Sequence, residues 1–510
     1  MTTFTARPGP RGENLGRHRR MGKPPLPGAS DEVYDRALAA AHAVTDSIRQ
    51  RLEKAEDERL APFALRSRAA KRRHALEDEG RAIDYRTAFQ RDRDRIVYSR
   101  SFRRLRHKAH GGILPAYEDH RRNRLTHTLE VAQLARTVAR ALSLNEDLVE
   151  AIALGHDLGQ PPFGPAGVRA LDDWMAGRLD GSGGPGLGDL GGFSRACQSL
   201  RVADRLEVRY AHPGLNLTDA VREGLFKSGP RRDSVEAPAG VRAGLAPPFE
   251  AQVVSLADRI SAAIEDLDDA LQSGALSLGQ VERLSAVRHL RKKLGPDYGA
   301  RGGKFLRAAA IHRGLVHLLA TSCVLASERS LARFVERHSL RRHREFLALR
   351  DDAVRGDEIL LPRAALAMLD DLEAVLDVRV RRGASADRVE GRARRVLQGL
   401  LAAYHADPTL LDDHVLLRYK DASGTRFLRD VPRSQLESEL ERCRGDERFA
   451  RVLVDHVAAM TDPYALAEHA RLLEAGAVPI PSAEQLRRER ETRSAADRTA
   501  SCRPEADRLR

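Results

Sequence analysis

Two imidazoles and two carboxylates carry the most specific chemistry in this chain: His127, the adjacent pair His156-Asp157, and the distant Asp258. Neutral imidazole and carboxylate are the usual donors to a divalent metal ion such as Mg, Mn, Fe, Co, Ni or Zn. A set of this kind leaves metal positions for water and a phosphate oxygen, which is the arrangement phosphoester hydrolysis needs. The competing explanation is that two core histidines and two aspartates recur by chance. Only the context of each residue weighs against it.

Three helices are required to bring these residues together. Val131, Leu134 and Val138 follow His127 at steps of four, seven and eleven, so His127 shares a buried helical stripe and points inward. Leu148 and Ile152 precede His156 by eight and four, and Gly159 with Pro161-Pro162 must stop that helix. The His156-Asp157 pair therefore sits at a helix C-terminus opening into a loop. Asp258 is a lone carboxylate among aliphatics in Val253-Val254-Ser255-Leu256-Ala257-Asp258-Arg259-Ile260, and a buried carboxylate needs a partner.

A series of motifs surrounds these residues. It runs from Phe89-Gln90-Arg91-Asp92-Arg93-Asp94-Arg95-Ile96 and Ser101-Phe102-Arg103-Arg104-Leu105 to Arg124-Leu125-Thr126-His127 and Leu129-Glu130-Val131-Ala132. Gly155-His156-Asp157-Leu158-Gly159, Pro162-Phe163-Gly164, Gly191-Gly192-Phe193, Gln198-Ser199-Leu200-Arg201 and Gly214-Leu215-Asn216-Leu217-Thr218 follow. Leu256-Ala257-Asp258, Asp266-Leu267-Asp268-Asp269, Met460-Thr461-Asp462 and Tyr464-Ala465-Leu466 complete it. In content and order, from about residue 60 to about residue 475, the chain resembles the HD-domain deoxynucleoside triphosphate triphosphohydrolases, the bacterial dGTPase-like family.

The resemblance implies an all-α fold, an HD-domain phosphohydrolase core with additional C-terminal helices. It implies that a divalent ion held by His127, His156, Asp157 and Asp258 binds the α-phosphate of a dNTP and orients a water against phosphorus, releasing deoxynucleoside and inorganic triphosphate. By position, Arg124 matches the family's phosphate-binding arginine, and Arg259 replaces a basic position seen in some members. In a chain so rich in arginine, a solvated or ion-paired helix charge is the alternative for each. The family also commonly forms homo-oligomers.

The departures from the family matter as much. Its members follow the HD pair with two histidines; here those places hold Gln160 and Pro165. A further active-site histidine is replaced after Gly191-Gly192-Phe193, where Ser194 and Arg195 follow. Beyond Asp258, the expected Tyr, Asn and His are Ala262, Ala263 and Glu265. Glutamine hydrogen-bonds a phosphate but exchanges no proton near neutral pH, and proline does neither through its side chain. General acid-base help is commonly worth about 10²–10⁴-fold, so its loss slows metal-assisted attack without abolishing it. Three readings follow, in this order: a divergent triphosphohydrolase, an HD phosphohydrolase with another phosphoester substrate, and a catalytically impaired nucleotide-binding regulatory protein. His107, His110, His120 and His212 are the candidates to replace the lost groups.

Composition agrees with a helical protein of one large body. The chain has 510 residues, of which 42% are hydrophobic and 5% aromatic, and few β-branched runs alternate. Cys197, Cys323, Cys443 and Cys502 lack paired spacing, which predicts reduced thiols rather than a disulfide framework or a zinc-thiolate site. No signal peptide is read, and the most apolar stretch, Leu315 to Ala326, is short for a membrane span and carries His317, so a cytoplasmic protein is expected.

A formal charge of +13 suits a nucleoside triphosphate and equally single-stranded nucleic acid. Only nine of the 86 basic residues are lysine, a skew that a GC-rich coding sequence produces by itself. The clusters Arg17-His18-Arg19-Arg20, Lys71-Arg72-Arg73 and Arg341-Arg342-His343-Arg344 lack the interleaved aromatics that stack bases, so nucleic-acid binding is a minor expectation.

The expected organisation is a disordered basic tail over 1–30, a helix over 31–59, the HD core over 60–275, a C-terminal helical region over 276–475 and a charged tail over 476–510. A Gly-rich loop at 177–192 reads as a rim or lid, and 232–248 as a Pro- and Gly-containing connector. Lys304, Arg307 and His312 are read first as a solvated helix face.

Overall fold

The structure, a computed structural model, describes residues 31–74, 84–111, 122–178, 190–227, 241–242, 244–295 and 303–474. The two tails, most of the Gly-rich loop, much of the 232–248 connector, His120 and Cys502 lie outside these residues. The helices of the first half are α1 (Asp31–Arg59), α2 (Ala88–Val97), α3 (Arg100–Arg104), α4 (Arg124–Ala141), α5 (Glu146–Gly155), α6 (Pro165–Met175), α7 (Arg195–Arg201), α8 (Asp219–Lys227) and α9 (Phe249–Ser273). Those of the second are α10 (Leu278–Val281), α11 (Ser285–Leu294), α12 (Gly303–Arg337), α13 (His343–Ala353), α14 (Arg363–Leu376), α15 (Ala384–Ala406), α16 (Asp413–Ser423), α17 (Arg433–Arg444), α18 (Glu447–Ala459) and α19 (Asp462–Leu473). Among the described residues there is no strand, only an isolated bridge between Ala109 and Asn123. The protein is all-α, as its composition predicts.

Helix ends near the predicted ligands follow from local chemistry. Asn123 and Asn145 cap α4 and α5, their side-chain oxygens accepting from the Thr126 and Leu148 amides at 3.0 and 3.2 Å. Glu146 and Asp147 place negative charge in the first turn of α5, where the helix dipole favours it. The helix closes at Gly155 with His156 as its cap, and Pro161-Pro162 blocks any continuation. Helix α6 then restarts with Pro165 as its first residue, after Gly164 at φ 61°.

Helix α5 is the centre of the larger core, buried along nearly its whole length and packed on α2, α4, α8 and α9. The approach to α8 depends on glycine: a Cβ at Gly224 would lie 2.4 Å from Ile152 Cδ1. Helices α11 to α14 extend this core. A second cluster joins Trp174 of α6 to Leu397, Leu400 and Tyr404 of α15 and to Phe449 and Leu453 of α18. Both clusters draw residues from either side of residue 275.

The stretch expected to be too short for a membrane belongs to a longer element, Phe305–Arg337 of α12, which is long and apolar enough to cross one, although little of its most apolar part is buried. Ile311, Leu315, Leu319, Cys323 and Leu331 of α12 lie in the larger core, and α12 packs on α9.

Candidate metal centre

Helices α4, α5 and α9 set the four predicted residues around one point. His127 comes from the first turn of α4, His156 and Asp157 from the end of α5, and Asp258 from the third turn of α9. His127 Nε2 lies 3.0 Å from Asp258 Oδ1. His156 Nε2 lies 3.7 Å from the same oxygen and 3.6 Å from Asp157 Oδ2. The ligand atoms of His127, His156 and Asp157 all fall within 4.8 Å of one another.

These residues fit a divalent ion. His156 Nδ1 stands 2.6 Å from the Ala153 carbonyl, which puts the ring proton on Nδ1 and leaves the lone pair of Nε2 facing the centre. That Nε2 is buried without a hydrogen-bond partner. An unpartnered buried imidazole nitrogen between two carboxylates is the donor chemistry a divalent ion requires.

Two arginines close the set, Arg124 buried and Arg195 half-buried. Arg124 Nη1 donates to Asp157 Oδ2 at 3.1 Å, and its other nitrogens donate to the Ala109 and His110 carbonyls at 3.2 and 2.6 Å. Arg195, in the first turn of α7, donates to Asp157 Oδ1 at 2.6 Å and to Asp258 Oδ2 at 3.1 Å. Each carboxylate thus gives one oxygen to Arg195 and turns the other toward the histidines. Burial opposes ionisation of both aspartates, yet the neighbouring arginines outweigh it and hold both carboxyls well below the ordinary range.

Glu265 and His110 complete the site, and sequence reasoning did not assign either its place. Glu265 follows Asp258 by seven residues on α9, and its oxygens lie 2.9 and 3.1 Å from His127 Nδ1. His110 Nε2 is 3.2 Å from Glu265 Oε2, and its ring lies 4.2 Å from that of His127 at a tilt of 34°. The signal was present: two helical turns put Glu265 on the face of Asp258. It was read as a missing histidine instead. Burial opposes a charge on His127, but hydrogen bonds to Asp258 and Glu265 prevail and raise it to about 9. Burial, followed by His127 and Arg124, pushes His110 well below the ordinary value. Burial and the neighbouring Glu265 raise Glu130 to about 7.

Other residues singled out in the sequence fall elsewhere. The guanidinium of Arg259, expected to bind phosphate, donates to Asp370 and Glu373 of α14 at 2.6 to 2.9 Å. One step along α9 from Asp258 turns a side chain about 100° away from the ligand face. Gln160 is buried with its Nε2 unpartnered, and its backbone carbonyl accepts from Lys108 Nζ. Pro165 serves as the first residue of α6. Of the candidate replacement histidines described, His107 is exposed, His212 is half-buried and stacked on His74 at 4.3 Å, and only His110 reaches the site. In the second basic cluster Arg72 and Arg73 are committed to Asp92 and Asp204. Arg307 lies 3.7 Å from Glu282.

Residues 124–263 match the HD domain, and residues 425–471 match the phosphohydrolase-associated domain. The deoxyguanosinetriphosphate triphosphohydrolase-like protein of Syntrophus aciditrophicus (strain SB) is 34% identical over 425 residues, 82% of this chain and 95% of that one. Proteins of the same description from Azoarcus sp. (strain BH72) and Ralstonia pickettii (strain 12J) are each 35% identical, over 76% and 82% of this chain and 91% and 96% of theirs. An HD domain with buried candidate metal ligands, flanked by the associated domain and matched along almost the full length of these relatives, leads to one conclusion: the chain belongs to the deoxyguanosinetriphosphate triphosphohydrolase-like family of HD-domain proteins.

Proposed function

We propose that the protein is a metal-dependent phosphohydrolase that cleaves a deoxynucleoside triphosphate to deoxynucleoside and inorganic triphosphate. One observation carries this reading: two imidazole nitrogens and two carboxylate oxygens converge on a buried point with two guanidinium groups beside them. His127, His156, Asp157 and Asp258 would hold the divalent ion. When bound, that ion supplies Lewis acidity and a place for water and a phosphate oxygen. Arg124 and Arg195 keep the carboxylates ionised and supply positive charge where a phosphate chain must be neutralised.

Proton transfer is where this chain differs from its family. Gln160 and Pro165 carry no exchangeable proton, and Arg195 keeps its own. Turnover slower than that of a member with those histidines, by about 10²–10⁴-fold, is the consequence. A second reading, a nucleotide-binding regulatory protein without turnover, is favoured by the double engagement of Arg195 with both aspartates. Assembly as a homo-oligomer and a cytoplasmic location belong to the proposal on the strength of the family resemblance.

The deciding experiment incubates each dNTP with the protein and Mg²⁺, Mn²⁺ or Co²⁺, beside Asp157→Asn, and follows deoxynucleoside and triphosphate by chromatography. Metal-dependent release by the parent and none by the variant supports hydrolysis. Binding of dNTP with equal, background release from both supports the regulatory reading.

A further inference from the structure

We propose that Glu265 is a positioning residue of the metal centre, which fixes the ring of His127 so that its Nε2 lone pair faces the ion. The inference rests on the metal-site reading above and concerns a side chain that this protein carries where its family has a histidine.

The argument begins with the two nitrogens of His127. An imidazole that binds a metal through one nitrogen usually gives the N–H of the other to a carboxylate or carbonyl, which sets both tautomer and ring orientation. Both oxygens of Glu265 lie within 3.1 Å of His127 Nδ1, while Nε2 is the atom 3.0 Å from Asp258 Oδ1. With Nδ1–H donating to Glu265, Nε2 is left to the centre. His156 reaches the same condition by a different partner, the Ala153 carbonyl at the end of its own helix. His127 stands in the first turn of α4, and its tautomer is set from another helix.

A second ion between His110, His127 and Glu265 is the rival arrangement, since their ligand atoms also lie within 4.8 Å of one another. It demands a lone pair from His127 Nδ1 while Nε2 serves the first ion, so that the ring would lose both protons. Hydrogen bonding requires no such state. Glu265 Oε2 accepts from His127 Nδ1 at 2.9 Å, and His110 Nε2 stands 3.2 Å from the same oxygen, so this buried carboxylate has a donor and a polar neighbour without any ion. The charge is also balanced: Arg195 adds a cation beside Asp157 and Asp258, and Glu265 adds an anion on the opposite side of His127. A histidine at the position of Glu265, as in the family, has no oxygen pair to set against His127 Nδ1.

The test is Mn²⁺ affinity of the full-length protein, stripped with chelator and titrated by calorimetry, with parent, Glu265→Gln, Glu265→Ala and Asp157→Asn side by side. The parent is expected to bind one Mn²⁺ per chain. Loss of a partner of this kind weakens metal binding about 10- to 100-fold, with Ala at the upper end and Gln, which keeps an acceptor of the same shape, at the lower. Co²⁺ absorption of the Gln variant should shift relative to the parent, a signature that a merely structural role would leave unchanged. Parent-like affinity and Co²⁺ spectrum in both Glu265 variants, with binding lost in Asp157→Asn, overturns this proposal alone. Two ions per chain in the parent overturns it in favour of the rival site. Parent-like affinity in Asp157→Asn overturns the metal-site reading and this proposal with it.

Discussion

Arg195 and Asp258 share one carboxylate in a divided way: the guanidinium takes Oδ2 at 3.1 Å and leaves Oδ1 facing His127 and His156. The same arginine divides Asp157, taking Oδ1 at 2.6 Å. A cation placed behind both carboxylates neutralises them in the absence of metal and aims their other oxygens at the centre.

Replacing Arg195 with alanine leaves the buried Asp157 and the half-buried Asp258 short of positive charge. Breaking a buried pair from one side costs about 3–5 kcal/mol, so the metal-free variant should unfold at lower temperature than the parent. A divalent ion restores the missing charge. Mn²⁺ should therefore raise the melting temperature of Arg195→Ala more than that of the parent, which calorimetry on both proteins measures; equal shifts would remove Arg195 from the electrostatics of the centre.

Arg259 is expected to be dispensable for turnover. Its guanidinium is paired with Asp370 and Glu373 on a partly exposed surface, where such pairs contribute about 0–1 kcal/mol. Arg259→Ala should keep dNTP hydrolysis within about twofold and lower stability by no more than this. A much larger loss of turnover would return Arg259 to the phosphate-binding role read from the sequence.

Gly159, two residues after Asp157, admits no side chain. A Cβ there would lie 2.2 Å from the Ser199 backbone nitrogen and 2.4 Å from the Gln198 carbonyl carbon, and backbone cannot swing aside as a side chain does. Overpacking against flexible neighbours costs about 1–3 kcal/mol, so Gly159→Ala should reach the upper end or beyond. Urea unfolding of the variant checks the stability, and its Mn²⁺ affinity reports whether the adjacent ligand has moved.

Lys108 links stability to pH. Burial lowers it from its ordinary 10.5 to about 7, although Asp462 opposes the shift, and its amine donates to the Gln160 and Ala458 carbonyls. Above pH 10.5 neither folded nor unfolded chain holds the proton, and the site exacts no penalty. As pH falls toward 7 the unfolded chain is protonated first, so the folded state loses stability, and below 7 the loss stays constant. Lys108→Met removes this dependence and the two hydrogen bonds together. Stability of the variant minus that of the parent should rise as pH falls from 10 to 7 and then level off; a flat difference across urea titrations over this range contradicts the assignment.

The sequence by itself determined the helical class and the four candidate ligands. Helical steps of apolar residues and the prolines that stop α5 are local signals, so the places of His127, His156, Asp157 and Asp258 on their helices were legible from the neighbours of each. Tertiary structure alone decided the partners of the remaining charged groups. Arg195 looked like a lost histidine and stands behind two aspartates; Glu265 looked like another and holds the ring of His127; Arg259 looked like a phosphate ligand and turns to α14. A buried charge takes its role from the atoms around it, and those atoms lie up to 138 residues away, on helices whose mutual rotation is set by packing and not by the local chain.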